Sequence, residues 1–342
     1  MKTIYVDAAA SALKPQSVID AEIDFLTNRY ANSGRGICTR ANNVDKMVSE
    51  AREAVKNFIG AESLEQIVFT SNSTDGLNRI AKTLAGKTVI VSDLDHHSAR
   101  LPFEKHCKTL VAPLTEGLCY DWDKIKGLKA DAIVITAMSN VLGVPHDIPK
   151  LPFMTIVDAA QYTAHEPIDV EKSNIDYLVF SGHKIGADTG IGVLYQRTAG
   201  EPVNWGGGMY QATGAARFEA GTLPLTQIAG LPAAIDELVK ARNGAWHDLP
   251  NYLRQELAKN PRIRFVSPKG ARITTFTIDG MHFLDFGAMV GAMDICLRVG
   301  NMCASWLHKR LGLDGSIRVS LGPWNTEEEM DRLIKTIDGI VK

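Results

Sequence analysis

Short apolar runs alternating with helix-period segments fill the first two thirds of the chain, and that alternation commits it to a largely parallel sheet. Parallel neighbours need a crossover connection, and the intervening helices supply it. The runs Ile67–Thr70, Thr88–Ser92, Ala132–Thr136, Met154–Asp158, Tyr177–Phe180 and Ile191–Tyr195 read as buried strands. Ahead of them, Met47, Ala51, Ala54 and Phe58 share one helical face, with Gly60 placed to stop the helix. From about residue 226 the texture changes to a long helix, two short strand-like runs near 262–266 and 273–277, and further helices. The last helix is the clearest: Thr326 and Glu329 form a capping box, and Met330, Leu333, Ile334, Ile337 and Val341 supply its apolar stripe. The expected fold class is α/β, a mainly parallel central sheet flanked by helices over residues 1–225, followed by a smaller α+β unit over 226–342. The segment up to about residue 30 is free to pack against that second unit.

With 342 residues there is length for two such units and a sizeable core. Apolar residues at 45% and charged residues at 22% disfavour disordered and fibrous classes. The 37 basic and 39 acidic side chains leave a formal charge of −2, so no field draws the whole molecule to nucleic acid or to an anionic membrane. No run approaches the roughly 18 apolar residues of a membrane span, and Asp7 interrupts any leader-like start, so a cytoplasmic protein is expected. The five cysteines are scattered and never spaced as CxxC, which fits neither a disulfide framework nor a metal site. A cysteine that matters here matters as a thiol.

Lys184 follows a buried-strand pattern and opens a glycine-rich loop, and strand ends in open α/β sheets are where ligands bind. Alone it reads as a solvated surface lysine. Asp158, about 26 residues earlier at the previous strand end and followed by Gln161, changes that reading. Pyridoxal phosphate needs a lysine to anchor it and a carboxylate beside its pyridine nitrogen, because the protonated ring withdraws electrons from the substrate Cα. The stretch Thr70-Ser-Asn-Ser-Thr-Asp-Gly-Leu-Asn78 leaves a strand and enters a helix; Ser73 or Thr74 serves there either as an N-cap or as part of a phosphate seat. In Asp95-His-His-Ser98, adjacent histidines in an irregular loop rarely converge on one metal ion, so a flat imidazole over the cofactor ring is the better use of His96, with His97 serving local structure.

Together these segments resemble the class V aminotransferase family of fold-type-I pyridoxal phosphate enzymes, closest to its SUF-type cysteine desulfurase and selenocysteine lyase branch. The similarity continues through Tyr5-Val-Asp-Ala-Ala-Ala-Ser-Ala-Leu-Lys-Pro15, Arg35-Gly-Ile37, Ser139-Asn-Val-Leu-Gly143, Phe180-Ser-Gly-His-Lys184, Arg217-Phe-Glu-Ala-Gly-Thr222, Arg298-Val-Gly-Asn-Met-Cys-Ala304 and Ile317-Arg-Val-Ser-Leu321. The resemblance implies that Ser73, Thr74, Ser181 and His183 hold phosphate, His96 stacks on the ring, Asp158 pairs with the pyridine nitrogen, Gln161 with the phenolic oxygen, and Lys184 anchors the cofactor. It implies further that Asn140 and Arg318 bind the substrate carboxylate, that Cys303 takes sulfur from the substrate as a persulfide, and that Thr222 reaches the partner's cofactor phosphate in a homodimer. L-cysteine, or L-selenocysteine, is then the substrate, and a sulfur-acceptor protein or iron–sulfur scaffold the recipient.

Relatives commonly carry histidines where this chain has Gly34, Cys38, Asn301 and Met302, and the flap over 208–217 looks shorter than theirs. Those departures bear on how the Cys303 thiol is deprotonated and how open it lies. They also motivate a rival from another class, a non-catalytic sulfur-relay scaffold; the complete cofactor set argues against it. Transamination, epimerisation or kynurenine-type cleavage would give Cys303 no task. A nicotinamide dehydrogenase is set aside because no G-x-G-x-x-G follows any strand pattern.

Overall fold

The computed structural model describes residues 3–34 and 36–342, so Arg35 lies outside the described residues. The chain runs β1 (Ile4–Tyr5), α1 (Gln16–Asp24), α2 (Thr39–Ile59), β2 (Ile67–Thr70), α3 (Ser73–Thr83), β3 (Thr88–Val91), α4 (His97–His106), β4 (Lys108–Val111), α5 (Trp122–Lys126), β5 (Ala132–Thr136), β6 (Met154–Asp158), α6 (Tyr162–His165), β7 (Tyr177–Ser181) and β8 (Gly192–Gln196). It continues with α7 (Leu225–Ala241), α8 (Leu249–Leu257), β9 (Ile263–Phe265), β10 (Ile273–Ile278), α9 (Phe283–Gly291), β11 (Ile295–Cys296), β12 (Arg298–Gly300), α10 (Ser305–Arg310), β13 (Ser316–Ser320) and α11 (Glu327–Ile340).

Seven strands form the large sheet in the order β2-β8-β7-β6-β5-β3-β4. From β7 to β4 every pairing is parallel; β8 alone runs antiparallel to both of its neighbours. Strands β5, β6, β7 and β8 are buried along their lengths apart from Met154, because helices cover both faces and leave no solvent side to alternate with. Strand β4 escaped the sequence reading: Lys108 and Val111 are exposed on the sheet edge, so it lacks the apolar run that marks its neighbours.

A second sheet, β12-β13-β10-β9, is antiparallel and backs a separate core with α8, α9 and α11. The capping box at Thr326 and Glu329 is formed, a feature that contributes about 1 kcal/mol. Two packing arrangements differ from the boundaries read in the sequence. Helix α7, on the far side of residue 226, packs on α1 and α2 within the first core through Leu225, Ile228, Leu231 and Ile235. The amino-terminal segment divides: Ile4 and Val6 join the second core, whereas Val18 and Phe25 belong to the first. Strand β1 pairs with β11, and Asp7 bridges to Ser320 on β13, so residues 4–7 stitch onto the second sheet before the chain enters the first.

Candidate active site

The carboxyl ends of β2, β3, β5, β6 and β7 open on one side of the large sheet, and the residues that follow them line a cavity of about 470 Å³. Ser73, Thr74, His96, Asn140, Asp158, Gln161, Ser181, His183, Lys184, Cys303 and Arg318 all reach it. Of the expected site residues, Thr222 does not. It lines a separate cavity beside Asn32, Gly34, Gly207 and Gly208.

The floor comes from the strand ends. Asp158 closes β6 and is 6% exposed; its Oδ1 accepts the Ala160 N–H at 3.0 Å, and burial pushes its carboxyl up while Lys184 pulls it down. Lys184 sits in the short turn after β7. Burial brings its ammonium down from the ordinary lysine value to about 8, with Arg318 adding to the effect and Asp158 opposing it. Its Nζ donates to the Ala9 carbonyl, which also accepts from Gln161 Nε2 at 2.7 Å.

At the start of α3 the cap is Asn72, whose side chain accepts from Asp75 N at 2.9 Å. That leaves the Ser73 and Thr74 hydroxyls free of capping duty and turned to the cavity. Ser73 N donates to Ser181 Oγ at 2.9 Å, the Ser181 hydroxyl donates to Ser73 Oγ at 2.9 Å, and Thr74 Oγ1 lies 2.7 Å from Ser98 Oγ. Gly192 makes this seat possible, since a Cβ there would lie 2.5 Å from the Asn72 backbone. Hydroxyls, a helix start and the His183 imidazole suit a phosphate. His96 and His183 are both held down near pH 4, chiefly by burial, so each is a neutral ring at pH 7.

Cys303 is exposed, in the loop between β12 and α10. Met302 and Cys303 both adopt the left-handed region, at φ 52° and 55°, a conformation costing non-glycine residues of order 1–3 kcal/mol. Several bonds hold it. Asn301 Oδ1 accepts the Cys303 N–H at 3.1 Å, the Cys303 carbonyl accepts from His97 N at 2.8 Å, and Asn140 Nδ2 donates to the Met302 carbonyl at 2.8 Å. Asn301 and Met302 thus have structural work of their own, the one pinning the cysteine and the other buried in the core behind it. His97 Nε2 also contacts Ser305 Oγ at 2.6 Å, which ties α4 to α10. Gly34 and Cys38 are not among the residues lining this cavity.

Arg318 is 2% exposed on β13. Its Nη2 donates to Asp7 Oδ1 at 2.9 Å and its Nη1 to the Asn140 carbonyl at 3.1 Å, while its Nε is buried without a partner. An unpartnered guanidinium N–H at a cavity wall fits an arriving ligand oxygen. The sequence reading passed over three participants: Asp7, the Ala9 carbonyl and Arg298, which also lines the cavity. The Arg298-x-Gly-x-x-Cys303 spacing held the only signal for Arg298; Asp7 and Ala9 act from a segment far away in sequence.

A buried carboxylate, a lysine whose ammonium is held near 8, a neutral imidazole and hydroxyls at a helix start, gathered at the carboxyl edge of a parallel sheet, fit pyridoxal phosphate, and the fold is that of the fold-type-I enzymes of that cofactor. The chain belongs to the class-V aminotransferase family, whose model matches residues 4–333, and members of that family depend on pyridoxal phosphate. It is 31% identical over 378 residues to a cysteine desulfurase of Serratia proteamaculans (strain 568), spanning 99% of this chain and 93% of the relative. A cysteine desulfurase of Salmonella agona (strain SL483) is 33% identical over 370 residues, spanning 96% and 91%. The apo structure of a cysteine desulfurase from Thermococcus onnurineus NA1 superposes with a TM-score of 0.93 at 29% identity, covering 99% of this chain and 94% of that one.

Proposed function

We propose that the chain is a pyridoxal phosphate-dependent L-cysteine desulfurase that leaves L-alanine and a persulfide on Cys303. The observation that carries this reading is a single one: an exposed thiol, Cys303, shares a cavity with Lys184, Asp158 and Arg318. A transaminase would need no such thiol.

Bound pyridoxal phosphate supplies an electron sink for the bonds at the substrate Cα. Ser73, Thr74, Ser181 and His183 would hold its phosphate, Asp158 would keep the pyridine nitrogen protonated, Gln161 would meet the phenolic oxygen and His96 would cover the ring. Arg318 and Asn140 fix the substrate carboxylate. Lys184, neutral in a useful fraction at pH 7 because burial holds it near 8, takes the Cα proton. The Cys303 thiolate attacks the substrate sulfur: an S–S bond forms, the Cβ–S bond breaks, and its electron pair stays with the carbon skeleton, which leaves as alanine after protonation. The exposure of Cys303 suits hand-off to a sulfur-acceptor protein or iron–sulfur scaffold in the cytoplasm. L-selenocysteine fits the same site.

Incubating the purified holoenzyme with L-cysteine and a thiol reductant should release alanine and sulfide in equal amounts. Alanine or pyruvate without sulfide would replace the desulfurase by another reaction of the family.

The enzyme works as a homodimer in which Thr222 serves the partner's phosphate site. Its place in the cavity with Gly207 and Gly208, apart from its own chain's Lys184, supports this reading. The two units of each chain divide after α7, whose apolar face belongs to the first core. Mixing inactive Lys184→Ala with a Thr222→Ala variant and allowing exchange should restore activity, because one site of each hybrid carries both defects and the other neither. No recovery after verified exchange would place Thr222 outside the partner's site.

A further inference from the structure

Arg298 and Arg318 stand directly opposite each other on β12 and β13, and both side chains reach the active-site cavity. Like charges in that register repel. Asp7 resolves the conflict: one carboxylate oxygen accepts Arg318 Nη2 at 2.9 Å and the other accepts Arg298 Nη2 at 2.7 Å. Asp7 is 6% exposed and is not among the cavity-lining residues, so it acts through the two guanidiniums. Its backbone is fixed by the bridge to Ser320 on β13, where Ala8 N donates to the Ser320 carbonyl at 3.1 Å.

We propose that Asp7 is a positioning residue that sets substrate charge specificity: by neutralising one of two guanidiniums, it leaves the cavity with a single positive charge for a single substrate carboxylate. An amino acid whose side chain carries a second anionic group then finds no matching cation. Specificity of this kind is a difference of affinities, and it is set as much by the charge withheld as by the charge offered. Arg298, with its side chain 49% exposed, becomes the second anion's partner once Asp7 no longer holds it. The other ionisable groups facing the cavity do not alter the balance between variants. Lys184 and Asp158 are committed to the cofactor, His96 and His183 are neutral, and Cys303, which bears on Arg318 electrostatically, is common to all.

The inference rests on the proposed function only in taking this cavity as the amino-acid site, and its test needs no sulfur chemistry. L-alanine and L-aspartate, alike except for the side-chain carboxylate, are titrated into holoenzyme while the absorbance of the bound cofactor is followed. In the wild type, L-alanine should bind more tightly than L-aspartate. Asp7→Asn should move the ratio of the two dissociation constants about tenfold toward L-aspartate, a shift of the size that one partly screened unit charge produces. Arg298→Gln should move it the opposite way, and the double variant should return it to near the wild-type value. Arg298→Gln changes a half-exposed side chain, so it tests the charge argument even if Asp7→Asn does not fold. A ratio unchanged within twofold in both single variants, or a double variant that keeps the full Asp7→Asn shift, overturns the proposal. So does a wild-type spectrum that responds to neither amino acid, whatever cysteine turnover shows.

Discussion

Lys184→Ala should lose at least about a thousandfold in turnover of cysteine while keeping its fold. On the proposed mechanism two losses fall on one atom, the covalent anchor of the cofactor and the base for the Cα proton, and the second alone is typically worth 10²–10⁴. The environment is tuned for both tasks. At a pKa of about 8, roughly one lysine in ten is neutral at pH 7, against about one in three thousand for an ordinary exposed lysine. The fold should survive because alanine removes a partly buried cation whose only direct hydrogen-bond partner among the described residues is the Ala9 carbonyl, and that carbonyl retains Gln161. Borohydride treatment of the wild type should add the cofactor's mass to the peptide carrying Lys184 and to no other. Wild-type turnover in the variant, or labelling at another lysine, would remove Lys184 from its role.

Much of this site was legible in the sequence because each element announces itself locally. Asp158 and Lys184 follow apolar runs that can only be buried strands, and in a parallel sheet the residues after such runs gather on one edge. Elements that misled are those whose character comes from distant partners. Strand β4 is half polar because it is an edge. Helix α7 carries the pattern of any amphipathic helix, and nothing in that pattern says which of two cores it faces; contact with α1 and α2 decides it. Asn72 was overlooked as the α3 cap because Ser73 and Thr74 offered better-looking hydroxyls one residue on; Gly192, more than a hundred positions away, decides how closely the backbone at Asn72 approaches β8.

Asp7 and Ala9 show the same limit from the functional side. Their motif was noticed as part of a resemblance, yet its chemistry depends on where β1 is sewn into the second sheet. That seam places a carboxylate against two arginines and, two residues later, a carbonyl against Lys184. The replacement of family histidines at 301 and 302 likewise acquires meaning only in three dimensions. Asn301 supplies the acceptor that holds Cys303 in its left-handed conformation, and Met302 fills the core beneath it.

Cys303→Ala separates the two halves of the chemistry. The side chain is exposed and its hydrogen-bonded groups are its own backbone N–H and carbonyl, which alanine keeps, so the loop and the cofactor site should stay intact. The variant should remain yellow and should still change its visible spectrum on adding L-cysteine, because Lys184, Asp158 and Arg318 are untouched. Sulfide release should fall by about 10²-fold or more, since among the described residues no other thiol lines the cavity and a thiolate is a poor leaving group without one. L-selenocysteine should suffer far less, because selenide departs more readily and depends less on attack at the heteroatom. Arresting the wild type with an alkylating reagent after one turnover, then measuring the mass of the Cys303 peptide, should show one extra sulfur that is absent after reduction. Equal loss on both substrates would point to Cys303 as a structural support of the site, and undiminished sulfide from cysteine would move the search to the exposed thiol of Cys38.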